Sequence, residues 1–212
     1  MFEQTFSQKM SPRTKDQYSE IRRVSREKIL SAALELFAKK GFHATSISQI
    51  AKKAKISKGL MYNYFKSKDR LLDEIIQNGF TELAGLSYHS TKSASPEEQL
   101  KNYVSAVLDN LYSNYVYWQL YLALLVHPDI QKRYEKKMKA FRDEFIREFS
   151  KLFRKLGAKN PKLETFLLGT YFDGLVLNFI AAEADFSVEE IKNALLSKYI
   201  ENIHPKSKRK SG

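Results

Sequence analysis

A short run of side chains in the first third of the chain is suited to reading the edges of nucleic acid bases. Lys58 can donate to guanine O6 and N7, Tyr62 can donate a hydrogen bond or pack against a thymine methyl group, and Asn63 can meet adenine or a phosphate. Met61 and Phe65 stand four residues apart, so on a helix they share one face. If these two are buried, the other three point away from the core. The pattern predicts a short helix with one buried face and one base-reading face.

Two short helices joined by a tight turn are needed to present this face. Ser46 and Gln49 have the spacing of a capping box at the start of one helix, and Ser57 caps the next. Because only two residues lie between these helices, the helices must cross steeply, as in a helix-turn-helix unit. Gly59, near the start of the second helix, allows the backbone to approach a DNA groove closely.

The charge distribution supports a polyanionic partner for this segment. The net charge is +12. Residues 1–75 carry 16 basic against 8 acidic side chains, residues 76–205 carry 16 of each, and residues 206–212 carry 4 basic and no acidic ones. Lysine and arginine attract DNA by neutralising phosphates and releasing counterions. The basic excess therefore coincides with the candidate base-reading helix and with the last residues.

Catalytic and metal-binding functions find little support. The chain has no cysteine, and its four histidines, His43, His89, His127 and His204, are scattered without a second histidine or carboxylate at metal-ligand spacing. We therefore expect no enzyme activity, no metal and no cofactor. The lack of cysteine fits a reducing compartment, and the longest apolar run, residues 120–126, is far shorter than the roughly 20 residues that span a bilayer. These features predict a cytoplasmic protein without a membrane segment.

The apolar periodicity predicts an all-α protein of about nine helices in two unequal domains. Composition agrees, since 43% of the residues are hydrophobic and only 8 are glycine and 5 proline. The predicted helices cover about 26–40, 46–54, 57–66, 67–86, 96–114, 117–126, 128–156, 161–184 and 188–204. Ser25 is expected to cap the first of them.

The segment from Ile56 to Leu72 resembles the DNA-binding signature of the TetR family. Four residues carry the recognisable spacing: Tyr62, Phe65, Lys68 and Leu71. Gly41 and Phe42 at the end of the first helix also match, so the resemblance covers about residues 25–72. It implies a three-helix, helix-turn-helix DNA-binding head on a larger helical domain that binds a ligand and dimerises.

The resemblance also implies which residues contact double-stranded DNA. Base contacts are expected from Lys58, Gly59 and Tyr62, with Ser48 near them. Phosphate contacts are expected from Ser46, Leu60, Asn63, Tyr64 and Lys68, the last together with first-turn amides of the following helix. Leu60 lacks the side-chain donor that relatives often have, so a thymine-methyl or backbone contact is an alternative. Thr45 and Ser57 complete the set, and for Thr45 and Ser46 helix capping alone is an equal alternative.

The eighth predicted helix is apolar nearly all round, so it must be covered on more than one side. The resemblance implies that helices 8 and 9 pair with their symmetry mates as a four-helix bundle, with Gly169 and Gly174 permitting close approach. A central core helix within one chain is the alternative. A homodimer is favoured because two heads need two-fold symmetry to read a palindromic operator.

The remaining helices carry many aromatic side chains with polar tips. The resemblance implies an effector pocket among them, suited to a small apolar or aromatic molecule. The candidate lining residues are Tyr103, Trp118, Tyr121, Phe172 and Asn178. Core packing is the alternative for each of them.

These expectations divide the chain into a flexible basic arm (1–24), a helix-turn-helix head (25–72), an effector-binding and dimerisation domain (73–205) and a basic disordered tail (206–212). The function they predict is a homodimeric, sequence-specific transcriptional regulator, a repressor that a small ligand releases from its operator. The alternative is an architectural or partner-recruiting DNA-binding protein on the same fold, without a small-molecule effector.

Overall fold

The computed structural model describes residues 14–88, 95–178 and 187–200. Within these ranges the chain forms nine α-helices and no strand, which confirms the all-α prediction. The helices are α1 (Lys15–Lys40), α2 (Ile47–Lys53), α3 (Lys58–Tyr64), α4 (Lys68–Tyr88), α5 (Pro96–Ser113), α6 (Tyr115–Leu125), α7 (Pro128–Lys155), α8 (Pro161–Asn178) and α9 (Val188–Ile200). The predicted tail (206–212) and the first part of the predicted arm lie outside the described residues.

The first helix is longer than the sequence pattern indicates. It begins at Lys15 with a capping box, in which Thr14 Oγ1 accepts from Gln17 N at 3.3 Å and Gln17 Oε1 accepts from Thr14 N at 3.0 Å. Arg23 pairs with acidic side chains one turn to either side. The prediction of a flexible arm up to residue 24 is therefore wrong from residue 14 onward, and Ser25 lies inside a helix instead of capping it. Because this part is largely exposed, no apolar period marks it in the sequence.

Most other helix ends follow the predicted signals. Ser46 caps α2, and Ser95, followed by a proline, caps α5, each through a capping box. Gly41 ends α1 with a φ of 85°, a left-handed conformation that favours glycine, and its amide donates to Phe37 O at 3.0 Å.

Helices α1 to α4 share one buried cluster that holds the helix-turn-helix unit together. Its most buried members are Ile29, Ala33, Phe37, Ile50, Met61, Leu71, Leu72 and Ile76, each at most 1% exposed. α1 also packs against α6, while α4 packs against α5. The two helices therefore join the head to the rest of the chain.

The remaining helices form the body. α7 lies along α8, α5 packs against α9, and their apolar faces bury Leu100, Val104, Leu108, Leu124, Phe153 and Leu168. None of the described helices combines the length and hydropathy needed to cross a membrane.

Candidate DNA-binding surface

The turn between α2 and α3 sets the orientation of the candidate recognition helix. Lys55 has a φ of 57°, in the left-handed region that non-glycine residues seldom adopt. Ile56 N donates to Ala51 O at 3.0 Å, and Ser57 Oγ accepts from Leu60 N at 3.1 Å. Only the four residues 54–57 thus separate α2 from α3, a tight turn of the kind that the helix-turn-helix prediction requires.

α3 has the two faces that the sequence predicts. Met61 is completely buried and Phe65, just after the helix, is 3% exposed. On the opposite side the exposed residues are Lys58, Gly59, Leu60, Tyr62 and Asn63, with Leu60 and Tyr62 at 40% and 42% exposure. Two large apolar side chains and an amide beside a lysine form a surface that can contact base edges.

Gly59 has no packing reason to be glycine. A Cβ at this position would meet no heavy atom within 4 Å among the described residues, apart from its neighbours and the backbone of its own helix. Glycine lowers helix stability by roughly 0.5–1 kcal/mol relative to alanine. The open space above Gly59 is therefore available to an external partner.

The flanks of this surface hold the other predicted contacts. Ser46 and Ser48 at the start of α2 are exposed, as is Ser57. Tyr64 is half-buried against α1, where the guanidinium of Arg22 lies 5.9 Å from its ring centre. Of the two tyrosines, Tyr62 is thus the more exposed, and Tyr64 lies at the edge of the surface.

Thr45 is the first predicted contact that the structure does not place on this surface. It is 1% exposed, and its hydroxyl donates to Gly41 O at 2.9 Å or Leu36 O at 3.2 Å. The hydroxyl therefore stabilises the turn between α1 and α2. A side-chain contact from Thr45 to DNA does not fit this placement, and Ser46 is the residue that caps α2.

Lys68 is the second correction. Its ammonium donates to the backbone carbonyls of Phe42 at 2.7 Å and Thr45 at 2.9 Å, and lies 4.4 Å from the centre of the Phe42 ring. The predicted anion site needs a free ammonium, whereas this one is occupied by the α1–α2 turn. Lys68 ties the start of α4 to that turn and so positions α2.

A network that sequence reasoning missed joins α7 to the start of α4. Arg133 donates to Asp69 at 2.6 Å, and the hydroxyl of Tyr134 donates to Asp73 at 2.6 Å. The hydrogen bond from Arg133 lowers the pKa of Asp69, against a smaller opposing effect of burial. Some 60 residues separate the partners, so no local pattern in the sequence reveals them.

Two of the four histidines, which are far apart in the sequence, lie close together at the same junction. His43 Nε2 lies 3.7 Å and His127 Nδ1 lies 3.9 Å from Asp129 Oδ2, and all three side chains are exposed. The described residues nevertheless contain no group of three or more side chains suited to holding a metal ion.

Four of the five predicted effector residues fill the core. Tyr103 packs against Phe149 at 4.3 Å between ring centres, Trp118 donates to Asn110 at 2.6 Å, and Tyr121 donates to Ile76 O at 2.9 Å. Phe172 lies 5.9 Å from Tyr103. The fifth residue, Asn178, is exposed at the last described position of α8 and donates to Gly174 O. The core-packing alternative thus fits the first four residues, whereas the exposed Asn178 lies outside the core.

The outer face of α8 exposes a row of apolar side chains. Leu163, Phe166 and Leu177 are 47%, 57% and 55% exposed, at spacings that place them on one side of the helix. Gly169 faces the other way, since a Cβ there would lie 3.5 Å from the ring of Phe145 in α7. Its expected role in close helix approach thus applies within the chain.

Known proteins resemble this chain most clearly in the head. The family model described as "Bacterial regulatory proteins, tetR family" matches residues 29–75. The chain is 37% identical over 87 residues to the HTH-type transcriptional regulator YuxN of Bacillus subtilis, which covers 39% of this chain and 29% of that protein. It is 27% identical over 187 residues to YerO of the same organism, covering 82% and 62%. The chain thus spans less than two thirds of either relative.

The fold also matches solved structures over most of the chain. A TetR-like transcriptional regulator from Rhodococcus sp. RHA1 superposes with a TM-score of 0.69 at 24% identity, covering 93% of this chain and all of that one. The relatives are regulators by description, not enzymes, in agreement with the expectation from the sequence.

Proposed function

Because this chain belongs to the TetR family of bacterial regulatory proteins, we propose that it is a homodimeric transcriptional repressor that binds a palindromic DNA operator and is released by a small ligand. The observation that carries the proposal is the outer face of α3, where Lys58, Gly59, Tyr62 and Asn63 stand exposed on a helix held by a fully buried Met61. A helix of this size fits the major groove, where each base pair presents a distinct pattern of donors and acceptors.

We assign recognition of the DNA base sequence to the outer face of α3. The ammonium of Lys58 reaches guanine acceptors, and the ring of Tyr62 packs on a thymine methyl or donates a hydrogen bond. We also assign the exposed Ser48 of α2 to base contacts beside them. Because Gly59 has no side chain, the backbone of α3 can approach the base pairs closely. This role explains why a glycine occupies a position with no packing neighbour.

We assign the contacts that fix the position of the protein along the duplex to residues at the edges of this reading face. We assign phosphate contacts around the reading face to Ser46, Ser57, Asn63 and Tyr64, and an apolar or backbone contact to Leu60. The 16 basic against 8 acidic side chains of residues 1–75 attract the duplex without regard to sequence. Lys68 supports this surface from behind by holding the α1–α2 turn.

Dimerisation is assigned to α8 and α9. The exposed row of Leu163, Phe166 and Leu177 would be buried by the same row of a second copy around a two-fold axis. Such a dimer presents two copies of α3 to the half-sites of a palindrome, about one helical turn of DNA apart. Chromosomal DNA as the target also supports a cytoplasmic location.

The proposal is tested by selecting duplexes from a random library with the full-length chain, followed by fluorescence anisotropy on the enriched sequence. We expect a palindromic consensus, bound at least about a thousandfold more tightly than random DNA at the same salt concentration. Enrichment of no consensus, with equal affinity for all sequences, would instead support the architectural alternative.

A further inference from the structure

A half-open cleft of about 250 Å³ lies between α1, α4 and α6. Its walls are mostly apolar, with Leu30 and Leu34 from α1 and Ile75 from α4. None of the five residues predicted to bind an effector lines it. The cleft is thus a separate opening at the place where the head meets the body.

The charged groups that line this cleft are two carboxylates, beside the neutral polar side chains of Ser31 and Asn78. Glu82 of α4 is half-buried, and one of its oxygens accepts from Asn110 at 3.0 Å. It takes part in none of the ion pairs of the described residues. Glu27 of α1 also lines the cleft, but Arg23 pairs with it. The net effect is one uncompensated carboxylate beside apolar walls.

An aromatic ring completes the lining. Tyr117 of α6 faces the cleft and stacks on Tyr121, with ring centres 5.9 Å apart and an angle of 13° between the planes. Burial and the nearby charge of Glu82 raise the pKa of Tyr117 to about 12, so its phenol stays neutral near pH 7. A neutral ring face attracts cations, and a carboxylate next to it adds to the attraction.

We propose that this cleft binds an organic cation with an apolar body, a protonated amine or a quaternary ammonium. The apolar part lies against Leu30, Leu34 and Ile75, and the cationic group lies between Glu82 and the ring of Tyr117. A cation also compensates the half-buried charge of Glu82, whereas an anion would be repelled.

The position of the cleft connects the ligand to DNA binding, a step that rests on the function proposed above. α1 and α4 are helices of the head, α6 is a helix of the body, and the three share one hydrophobic core. A ligand that touches all three helices stabilises one relative position of head and body. If that position mismatches the operator half-sites, ligand and DNA weaken each other by the same factor.

Binding is tested first without DNA, by calorimetry on the full-length protein. The probe is benzyltrimethylammonium, with benzyl alcohol and benzoate as the neutral and anionic controls of similar size. We expect the cation to bind measurably more tightly than either control. Equal affinity for the cation and benzyl alcohol would overturn the proposal, because the carboxylate and the ring would then have no part in recognition.

The site is tested with three variants, two of which remove the same charge. Glu82→Gln keeps an acceptor for Asn110 and removes the charge, so the affinity for benzyltrimethylammonium should fall about fivefold to tenfold. Glu135→Gln removes an exposed carboxylate of α7 that does not line the cleft, and should leave the affinity unchanged. Tyr117→Leu, which keeps an apolar side chain, should also weaken the cation but not benzyl alcohol. Full affinity in Glu82→Gln would place the cation elsewhere.

The experiments can distinguish a failure of the cation-site proposal from a failure of the proposed regulator function. If the enriched operator binds but benzyltrimethylammonium does not, the cation site is wrong and the regulator stands. If the probe binds through Glu82 while no DNA sequence is preferred, the cation site stands and the proposed regulator function is wrong.

Discussion

The ring of Tyr121 in α6 fills the space that a side chain at Gly79 of α4 would occupy. A Cβ at position 79 would overlap Cζ, Cε2 and the hydroxyl oxygen of this ring. The same hydroxyl donates to Ile76 O one turn earlier in α4. α6 thus packs directly against the backbone of α4. This close approach requires the glycine at position 79.

Gly79→Ala should therefore lower the free energy of unfolding by about 1–3 kcal/mol, because the ring or the helix must move. Chemical denaturation followed by circular dichroism measures this. Gly85→Ala is the matched control in the same helix: no described atom lies within 4 Å of its Cβ, so the change should be stabilising. Equal effects of the two substitutions would contradict the packing described.

Gly59→Ala should separate stability from DNA binding. Because the site is open, alanine should raise the free energy of unfolding by roughly 0.5–1 kcal/mol. On DNA the added methyl group stands between α3 and the base pairs, so operator affinity should fall. Gly85→Ala should stabilise the protein while leaving operator affinity unchanged. An unchanged operator affinity in Gly59→Ala would show that the backbone of α3 does not approach the groove here.

Lys68 can be distinguished from a phosphate-binding residue by its salt dependence. Lys68→Met keeps the apolar stem beside Phe42 and removes the donors, so the free energy of unfolding should fall by about 1.5–3 kcal/mol. DNA affinity should also fall, since the α1–α2 turn loses its anchor, but the slope of log affinity against log salt should stay the same.

Lys58→Ala is the counterpart, because its ammonium is exposed. Its loss should make the salt slope shallower by about one unit for each phosphate it neutralises. A shallower slope in Lys68→Met, with unchanged stability, would restore the phosphate role that the sequence suggested.

The dimer should depend on the exposed row of α8. Leu177→Glu would bury two unpaired carboxylates at a two-fold interface, so the dimer dissociation constant should rise at least about a hundredfold. Sedimentation should then detect the 24.6 kDa monomer at micromolar concentration. Val126→Glu, at an apolar position just after α6 that is 57% exposed, is the control and should leave the dimer intact. If both variants remained dimeric, α8 would not be the dimer interface.

The sequence was most informative where a local pattern decides the structure. The three-residue spacing of Ser46 and Gln49 predicts the capping box of α2, and the four-residue step from Met61 to Phe65 predicts the two faces of α3. The exposed start of α1 was missed because solvated helices lack an apolar period. The anchor of Lys68 was missed because its partners lie 23 to 26 residues away and are backbone carbonyls, which the identities of those residues do not reveal.

The candidate ligand site shows the same limit. Tyr121 and Trp118 have the composition expected of a pocket wall, yet their polar tips are satisfied inside the protein, by a carbonyl of α4 and the amide of Asn110. The cleft depends instead on three helices that are far apart in the sequence. Its residues Glu27, Glu82 and Tyr117 are separated from one another by about 35 to 90 residues. Only the packing of α1 and α4 against α6 brings them together.

Tyr62 gives the most direct test of sequence readout. Its ring is neutral and 42% exposed on the outer face of α3, so it adds affinity only where it meets the right base edge. Tyr62→Ala should weaken operator binding by roughly 1–3 kcal/mol per half-site and leave random DNA almost unaffected. The salt slope should not change, because no charge is removed. Tyr115→Ala removes an equally exposed ring from α6 and should alter neither affinity. If Tyr62→Ala kept the full preference for the operator over random duplex, α3 would not read sequence through this face, and the proposed recognition surface would have to lie elsewhere on the head.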